Sequence, residues 1–159
     1  MGWTMIGRAD VKALINSVAS ATGAFCLVAA GISFPANAAE PHPVRLPVDA
    51  PTTVNGVELA CTGIGQTRAD TRWEAYGVRL EFSNARNEYL TGGAVVVRDA
   101  RGRELVNVDC DAPWILLKLP KGAYRVEGRL LESAAKPRSA PFIAPASGQL
   151  RVVLQFPDA

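Results

Sequence analysis

Apolar and polar residues alternate with a period of two over most of the chain beyond residue 56, and turn residues separate the alternating segments. A period of two places the apolar side chains on one face of a β-strand. The pattern predicts strands at residues 57–61, 76–82, 94–97, 106–110, 115–119, 124–130 and 150–156, and a short edge strand at 141–144. No segment of this region has a helical period. Short strands with closely spaced turns are typical of a sandwich, so we expect an all-β domain with seven, or with the edge strand eight, antiparallel strands in two sheets.

The first 38 residues have a different pattern. Arg8 and Lys12 precede an uncharged stretch, residues 13–39, which contains the motif Ala36-Asn37-Ala38. Signal peptidase accepts small side chains at these positions, so we expect a signal helix over residues 1–38 that is cleaved between Ala38 and Ala39. The alternative is an uncleaved anchor, because the uncharged stretch is long enough to span a bilayer. Polar residues in its first half and a proline near its end favour cleavage.

Cleavage leaves residues 39–159, which we divide into a proline-rich extended lead-in (39–51) and a β-sandwich domain (52–159). Two of the 17 Lys and Arg and one of the 15 Asp and Glu lie in the signal segment, so the remaining chain has a net charge of +1. Such a balance gives no long-range attraction to nucleic acid. We therefore expect a periplasmic or secreted protein with no nucleic-acid partner and no membrane attachment after cleavage.

Two of the three cysteines, Cys61 and Cys110, remain after the signal segment is removed. An even number of cysteines in an oxidising compartment favours a disulfide. A bridge between them would close a loop of about 50 residues, which the chain-entropy model values at roughly 4 kcal/mol. The alternative is two free thiols, which the export signal disfavours.

Residues 89–156 resemble the carboxypeptidase regulatory-like domain, a transthyretin-like (prealbumin-like) sandwich. The residues that carry the resemblance are Gly93 to Asp99, the turn at Gly102 and the run Leu119-Pro120-Lys121-Gly122-Ala123-Tyr124-Arg125-Val126. In that run proline presets the turn, Gly122 accepts a positive φ and Tyr124 returns to the core. The resemblance implies a seven-stranded Greek-key sandwich in a small exported bacterial protein, and domains of this family usually carry no catalytic residues.

Candidate catalytic and metal-binding groups are few. The single histidine, His42, lies in the lead-in, where nothing holds it beside a nucleophile. Asp109 and Asp111 flank Cys110, but calcium needs 6–8 oxygen ligands, so we interpret them as solvated residues near a turn. We expect no enzymatic activity, no cofactor and no metal.

Three aromatic residues near predicted strand ends, Trp73, Tyr89 and Trp114, form the candidate binding surface. Such rings can stack on sugars or contact a partner protein, whereas buried tryptophans would fill the ends of the core. Outward arginines, with Glu81 and Glu127 among them, could bind an anionic glycan or form cross-strand ion pairs. Exposed tryptophans would favour binding, and buried ones a structural role.

The sequence therefore favours a non-enzymatic interaction module of the cell envelope that binds a protein or a glycan. A structural accessory domain that acts through its edge strands is the alternative. An enzyme is the least favoured interpretation.

Overall fold

Ten β-strands and two short 3₁₀ helices make up the part of the chain described by the computed structural model, residues 42–159. The expected signal helix and its cleavage site between Ala38 and Ala39 lie outside the described residues. The 3₁₀ helices are Gly65–Ala69 and Thr71–Ala75. The strands are β1 (Val44–Arg45), β2 (Pro51–Val54), β3 (Val57–Thr62), β4 (Val78–Asn84), β5 (Gly93–Asp99), β6 (Glu104–Cys110), β7 (Trp114–Leu117), β8 (Gly122–Leu130), β9 (Arg138–Ala144) and β10 (Leu150–Phe156).

The strands form two five-stranded sheets. Sheet 1 has the order β1-β6-β5-β8-β9, and sheet 2 has the order β10-β4-β7-β3-β2. The prediction of an all-β, two-sheet architecture is confirmed. The expected number of seven or eight strands is wrong, since the described residues form ten. The two strands that the alternation did not predict, β1 and β2, contain or adjoin prolines. The expected antiparallel arrangement is also wrong, because β1 pairs in parallel with β6 and β10 pairs in parallel with β4, so both sheets are mixed.

The main core lies between the sheets and contains the apolar face that the alternation predicted. In β10, Val152, Leu154 and Phe156 are buried while Arg151 and Gln155 are exposed. Phe82 of β4 lies so close to sheet 1 that a Cβ on Gly93 would overlap its ring, so only glycine fits there.

A disulfide joins the two sheets. Cys61 of β3 and Cys110 of β6 form the expected bridge, with both residues fully buried. Because each cysteine occupies an inward position of its strand, the sulfurs meet in the middle of the core.

The lead-in is part of the sandwich rather than an appendage. Leu46 is 3 % exposed and belongs to the main core. Its backbone N–H donates a hydrogen bond to the backbone carbonyl of Asp109. The Asp49 carboxylate accepts a 2.6 Å hydrogen bond from the Thr62 hydroxyl. Prolines end the short strand β1 but do not prevent its backbone from pairing at the sheet edge, where a missing donor is tolerated.

Two predicted turns have different outcomes. Gly102 has a φ of 79°, as expected for the β5–β6 hairpin. Gly122 is not among the residues with positive φ, so its expected left-handed conformation is wrong; it is the first residue of β8. No helix within residues 42–159 combines the length and apolar character needed to cross a membrane.

Candidate functional site

A second, smaller core covers the outer face of sheet 2. The buried residues of this cluster are Ala60, Trp73, Tyr76, Trp114 and Leu116. Trp73 is 4 % and Trp114 5 % exposed, so the two tryptophans do not form an exposed surface, contrary to the candidate binding surface drawn from the sequence. Tyr76 also lies here, although the alternation placed it on the inner face with Val78. The chain passes Gly77 before β4 begins, and the register of the strand therefore starts after Tyr76.

The loop that carries the two 3₁₀ helices closes over this outer face. The Arg68 Nε and Nη2 atoms both donate to the Gly63 carbonyl, at 3.1 and 2.9 Å. The Trp73 indole N–H donates to the Thr67 carbonyl at 2.8 Å. Gln149, which precedes β10, donates to the carbonyl of Trp73. These bonds fix the loop to the sheet at several points and hold Arg68 in one place.

Gly63 allows the loop to approach Trp114 closely. Its φ is 104°, and a Cβ built on it would lie 2.7 Å from the Trp114 ring. An L side chain disfavours this backbone conformation and has no space here. Glycine at this position therefore sets the height of the loop above sheet 2.

A fully buried carboxylate lies beside Trp114. Glu81 projects from the outer face of β4 and has no solvent-exposed surface. Arg79 Nε lies 2.8 Å from one carboxylate oxygen, and Arg151 Nη2 lies 2.6 Å from the other. Glu81 is therefore held by two close ion pairs, one from each of these arginines. The sequence predicted ion pairs for Glu81 but placed it in solvent.

The arginines around Glu81 pack against aromatic rings. The guanidinium of Arg79 lies 4.5 Å from the centre of the Trp114 ring. Arg68 lies 4.8 Å from the Tyr89 ring and 5.4 Å from the Trp114 ring. Tyr89 meets Trp114 edge to face at 6.0 Å. Contacts of this kind stabilise both partners by about 0.5–2 kcal/mol and orient the guanidinium plane.

We call this cluster the arginine–aromatic face. Its members are Arg68, Arg79, Glu81, Tyr89, Trp114 and Arg151. Three arginines and one glutamate give it an excess of positive charge. Tyr89 is 39 % exposed, and the side chain of Arg151 is 55 % exposed. Of the three aromatic residues singled out from the sequence, Tyr89 alone is exposed. Of the two arginines beside it, Arg151 is one of the outward arginines that the sequence suggested for an anionic glycan, whereas Arg68 was not singled out.

Among the residues that the structure describes, two further buried polar atoms in or beside the face have no hydrogen-bond partner, the Trp114 indole nitrogen and the Ser83 hydroxyl. Ser83 lies two residues after Glu81, on the same side of β4, and its backbone forms an isolated antiparallel β-bridge with Tyr89. Buried polar atoms are nearly always satisfied in native proteins. The Trp114 indole and the Ser83 hydroxyl are exceptions to this rule among the described residues.

Another ion pair lies at the opposite end of the outer face. Glu58 is 2.8 Å from Lys118 Nζ and accepts a 3.0 Å hydrogen bond from the Tyr76 hydroxyl. The hydrogen bonds from Lys118 and Tyr76 lower the pKa of Glu58. Burial of the phenol, and then its bond to Glu58, raises the pKa of Tyr76 to about 12. This cluster anchors the covering loop to β3 and β7.

A cleft of about 590 Å³ opens at one end of the sandwich, beside Tyr89. We call it the end cleft. Polar residues in its lining are Arg45, Tyr89, Thr91, Asp111, Glu132 and Ser133. Arg45 forms ion pairs with both Asp109 and Asp111. Asp109 is 6 % exposed, so the expectation that it is solvated is wrong: the lead-in covers it.

The histidine and the two cysteines, which were considered as catalytic groups, do not form a catalytic site in the described residues. His42 is exposed at the start of the described chain, and both thiols are joined in the disulfide. Within residues 42–159, no group of three or more His, Cys, Asp or Glu side chains is arranged to hold a metal ion.

No family model matches the chain, and a search of curated proteins finds no significant match. The resemblance of residues 89–156 to the carboxypeptidase regulatory-like domain therefore rests on its motif and stays a prediction.

Proposed function

We propose that the protein is an exported, non-enzymatic interaction module of the cell envelope that binds an anionic partner through the arginine–aromatic face. The signal pattern before residue 39 and the Cys61–Cys110 disulfide support export, because disulfides persist in oxidising compartments. The motif at residues 119–126 supports assignment of the sandwich to the transthyretin-like class.

The observation that carries the proposal is the buried Glu81 between two arginines. Removing a carboxylate from water costs several kcal/mol, and a buried ion pair seldom stabilises a fold more than apolar residues of similar volume would. The arrangement instead holds Arg79 and Arg151 in fixed positions. Side chains that are already fixed lose less conformational entropy when they bind a ligand. The cost of burying Glu81 is therefore offset by tighter binding of a ligand to the two arginines.

The charge and exposure of the face indicate the kind of partner. Glu81 neutralises one positive charge, and the Arg68 side chain donates to the Gly63 backbone carbonyl and forms no ion pair within residues 42–159. The guanidinium of Arg68 lies over the exposed Tyr89 ring, and Tyr89 also interacts with Arg151, whose pKa it helps to raise after the larger effect of Glu81. A negatively charged group placed over Tyr89 would therefore meet two guanidiniums, and arginine is well suited to carboxylates.

The groups available in the described chain also favour binding over catalysis. Catalysis needs a nucleophile or a proton-transfer group beside a second group that tunes it. The carboxylate at the centre of the face is enclosed by its two arginines and has no solvent-exposed surface. It can orient those arginines but cannot reach a substrate.

Charge-matched variants test the proposal. The double variant Arg68→Gln with Arg151→Gln removes two charges from the face, and Arg101→Gln with Arg129→Gln removes two from exposed positions outside the face. Both proteins, and the wild type, are immobilised and exposed to an envelope extract. We expect the wild type and the control to retain the same acidic component, and the face variant to lose it. Retention should fall as salt increases, because exposed charges are screened.

Circular dichroism and urea unfolding establish that both variants are folded before the comparison. If the folded face variant retains the component as well as the control does, the arginine–aromatic face is not the binding surface and the proposal fails.

The free edge of β10 supports the alternative function as a structural accessory domain. β10 ends sheet 2, has seven residues without proline and exposes Val153. An unpaired edge of this kind can accept a strand from a partner. Hydrogen exchange tests this alternative. A partner that adds a strand would protect the outward backbone amides along the whole of β10, whereas a ligand on the arginine–aromatic face would contact this strand through the Arg151 side chain alone.

A further inference from the structure

The end cleft begins where the arginine–aromatic face stops. Tyr89 belongs to both, since its ring contacts Arg68 and Trp114 and also lines the cleft. The cleft volume of about 590 Å³ lies within the range of about 300–1,000 Å³ that is usual for small-ligand sites. A ligand seated on Tyr89 can therefore occupy the face and the cleft together.

The two regions have opposite charge. The face contains three arginines and one glutamate, and two of the arginines are paired with that glutamate. In the cleft, Arg45 is already paired with Asp109 and Asp111, and the exposed Glu132 adds a further negative charge. The cleft therefore carries more negative than positive charge. A ligand with a carboxylate on every unit would be attracted by the face and repelled by the cleft.

The cleft is suited to uncharged hydroxyl groups. Carboxylates such as Glu132 accept hydrogen bonds, and the hydroxyls of Thr91 and Ser133 both donate and accept them. Neutral sugars offer many hydroxyls and no charge. The ring of Tyr89, 39 % exposed, provides a flat apolar surface at the junction, on which the apolar face of a pyranose can pack.

We infer that the ligand is an acidic oligosaccharide in which a uronic acid is joined to neutral sugars. The uronate carboxylate lies between Arg68 and Arg151, the sugar ring packs on Tyr89, and the neutral unit occupies the end cleft beside Glu132. This inference rests on the proposed function and specifies its ligand. An acidic peptide, the other anionic chain that could approach the face, fits the cleft poorly because Glu132 would repel its carboxylates.

Calorimetric titration with three probes tests the inference on protein purified after expression of the full chain. The probes are an oligosaccharide with alternating glucuronic acid and neutral hexose, the same oligosaccharide after reduction of its carboxyl groups, and hexaglutamate. We expect binding of the acidic oligosaccharide, and a loss of affinity of about tenfold or more on carboxyl reduction, because a charge-assisted contact is removed. Hexaglutamate should bind more weakly.

Two variants assign the parts of the site, and a third is the control. Arg68→Gln should weaken the acidic oligosaccharide about tenfold, and it leaves both Glu81 ion pairs in place. Glu132→Ala should weaken it about threefold, because a hydrogen-bond acceptor is lost. Arg129→Gln, at an exposed position of β8 outside the site, should have no effect.

The sign of the Glu132→Ala effect separates the two ligand classes. If hexaglutamate binds more tightly than the oligosaccharide and Glu132→Ala strengthens it, the ligand is an acidic peptide; the inference is then overturned while the proposed function stands. If no probe binds, the inference is also overturned, and the envelope-extract experiment decides on the proposed function separately. If a probe binds but Arg68→Gln and Arg129→Gln behave alike, both the inference and the proposed function fail.

Discussion

Removing the Cys61–Cys110 disulfide should lower the free energy of unfolding by about 4 kcal/mol. The two cysteines are 49 positions apart, and the chain-entropy model assigns that loop length about 4 kcal/mol, because the bridge restricts the unfolded chain. A domain of this size has a total stability of about 5–15 kcal/mol. The bridge therefore contributes a large share of the stability.

The assay compares oxidised and reduced wild-type protein. Because the disulfide is fully buried, it must be reduced in denaturant, and the protein is then refolded with reductant present. Urea unfolding followed by circular dichroism gives the free energy of each form. Reduction keeps both sulfur atoms, so the difference reports on the unfolded chain and not on a cavity. The slope of free energy against urea should also increase, since the reduced unfolded chain exposes more surface.

The double variant Cys61→Ala with Cys110→Ala provides the second measurement. It should lose slightly more than the reduced wild type, because alanine also leaves unfilled space in the core. A loss below about 1 kcal/mol in the reduced wild type, with an unchanged slope, would refute the reasoning. It would mean that residual structure already restricts the unfolded chain.

Three further perturbations test the surroundings of the site. Gly63→Ala should destabilise the protein by about 1–3 kcal/mol more than Gly56→Ala, because both glycines have positive φ but only Gly63 has a ring against its Cβ position; equal losses in urea unfolding would contradict this. Burial raises the pKa of Tyr76 to about 12, so its contribution to stability is present below the unfolded pKa of about 10 and should be lost as the pH rises from there towards 12. Spectroscopic titration of the phenol against the Tyr76→Phe variant checks this, and a midpoint near 10 for that group would be inconsistent with it. Leu46→Ala should cost about 2–4 kcal/mol, whereas Val48→Ala, at an exposed neighbour, should change stability by less than about 0.5 kcal/mol; if the two variants unfold alike, the lead-in is not docked.

Much of the sandwich was predictable because a strand that buries one face alternates apolar and polar residues along its sequence. The alternation in residues 124–130 and 150–156 gave the inward faces of β8 and β10 correctly. The disulfide was predictable from the cysteine count. The strands β1 and β2 were missed, since their pairing depends on where β3 and β6 lie and not on their own side-chain pattern.

The candidate site was harder to predict than the fold. Alternation places Glu81 on the outer face of β4 correctly, but it cannot show that a loop from elsewhere in the chain covers that face. The nearby Trp73 was a signal of such a cover, because a large apolar ring in a polar loop needs a surface to pack on. No alternation or motif in the sequence singles out Arg68. Its position depends on its hydrogen bonds to the Gly63 carbonyl, which only the folded structure shows.

The parallel pairing of β4 with β10 implies that these two strands pair late in folding. Val78 pairs with Leu150, 72 positions later, and β4 lies between β7 and β10 in its sheet. Contacts between such distant segments form slowly, because a long loop must close first. Until the last strand arrives, β4 presents an unpaired edge that other chains can join. Cys110, the later of the two cysteines, precedes the start of β10 by 40 positions, so the covalent link between the sheets can form while the second sheet is still open. A chain that stops short of β10 would therefore be oxidised, incomplete and prone to aggregate.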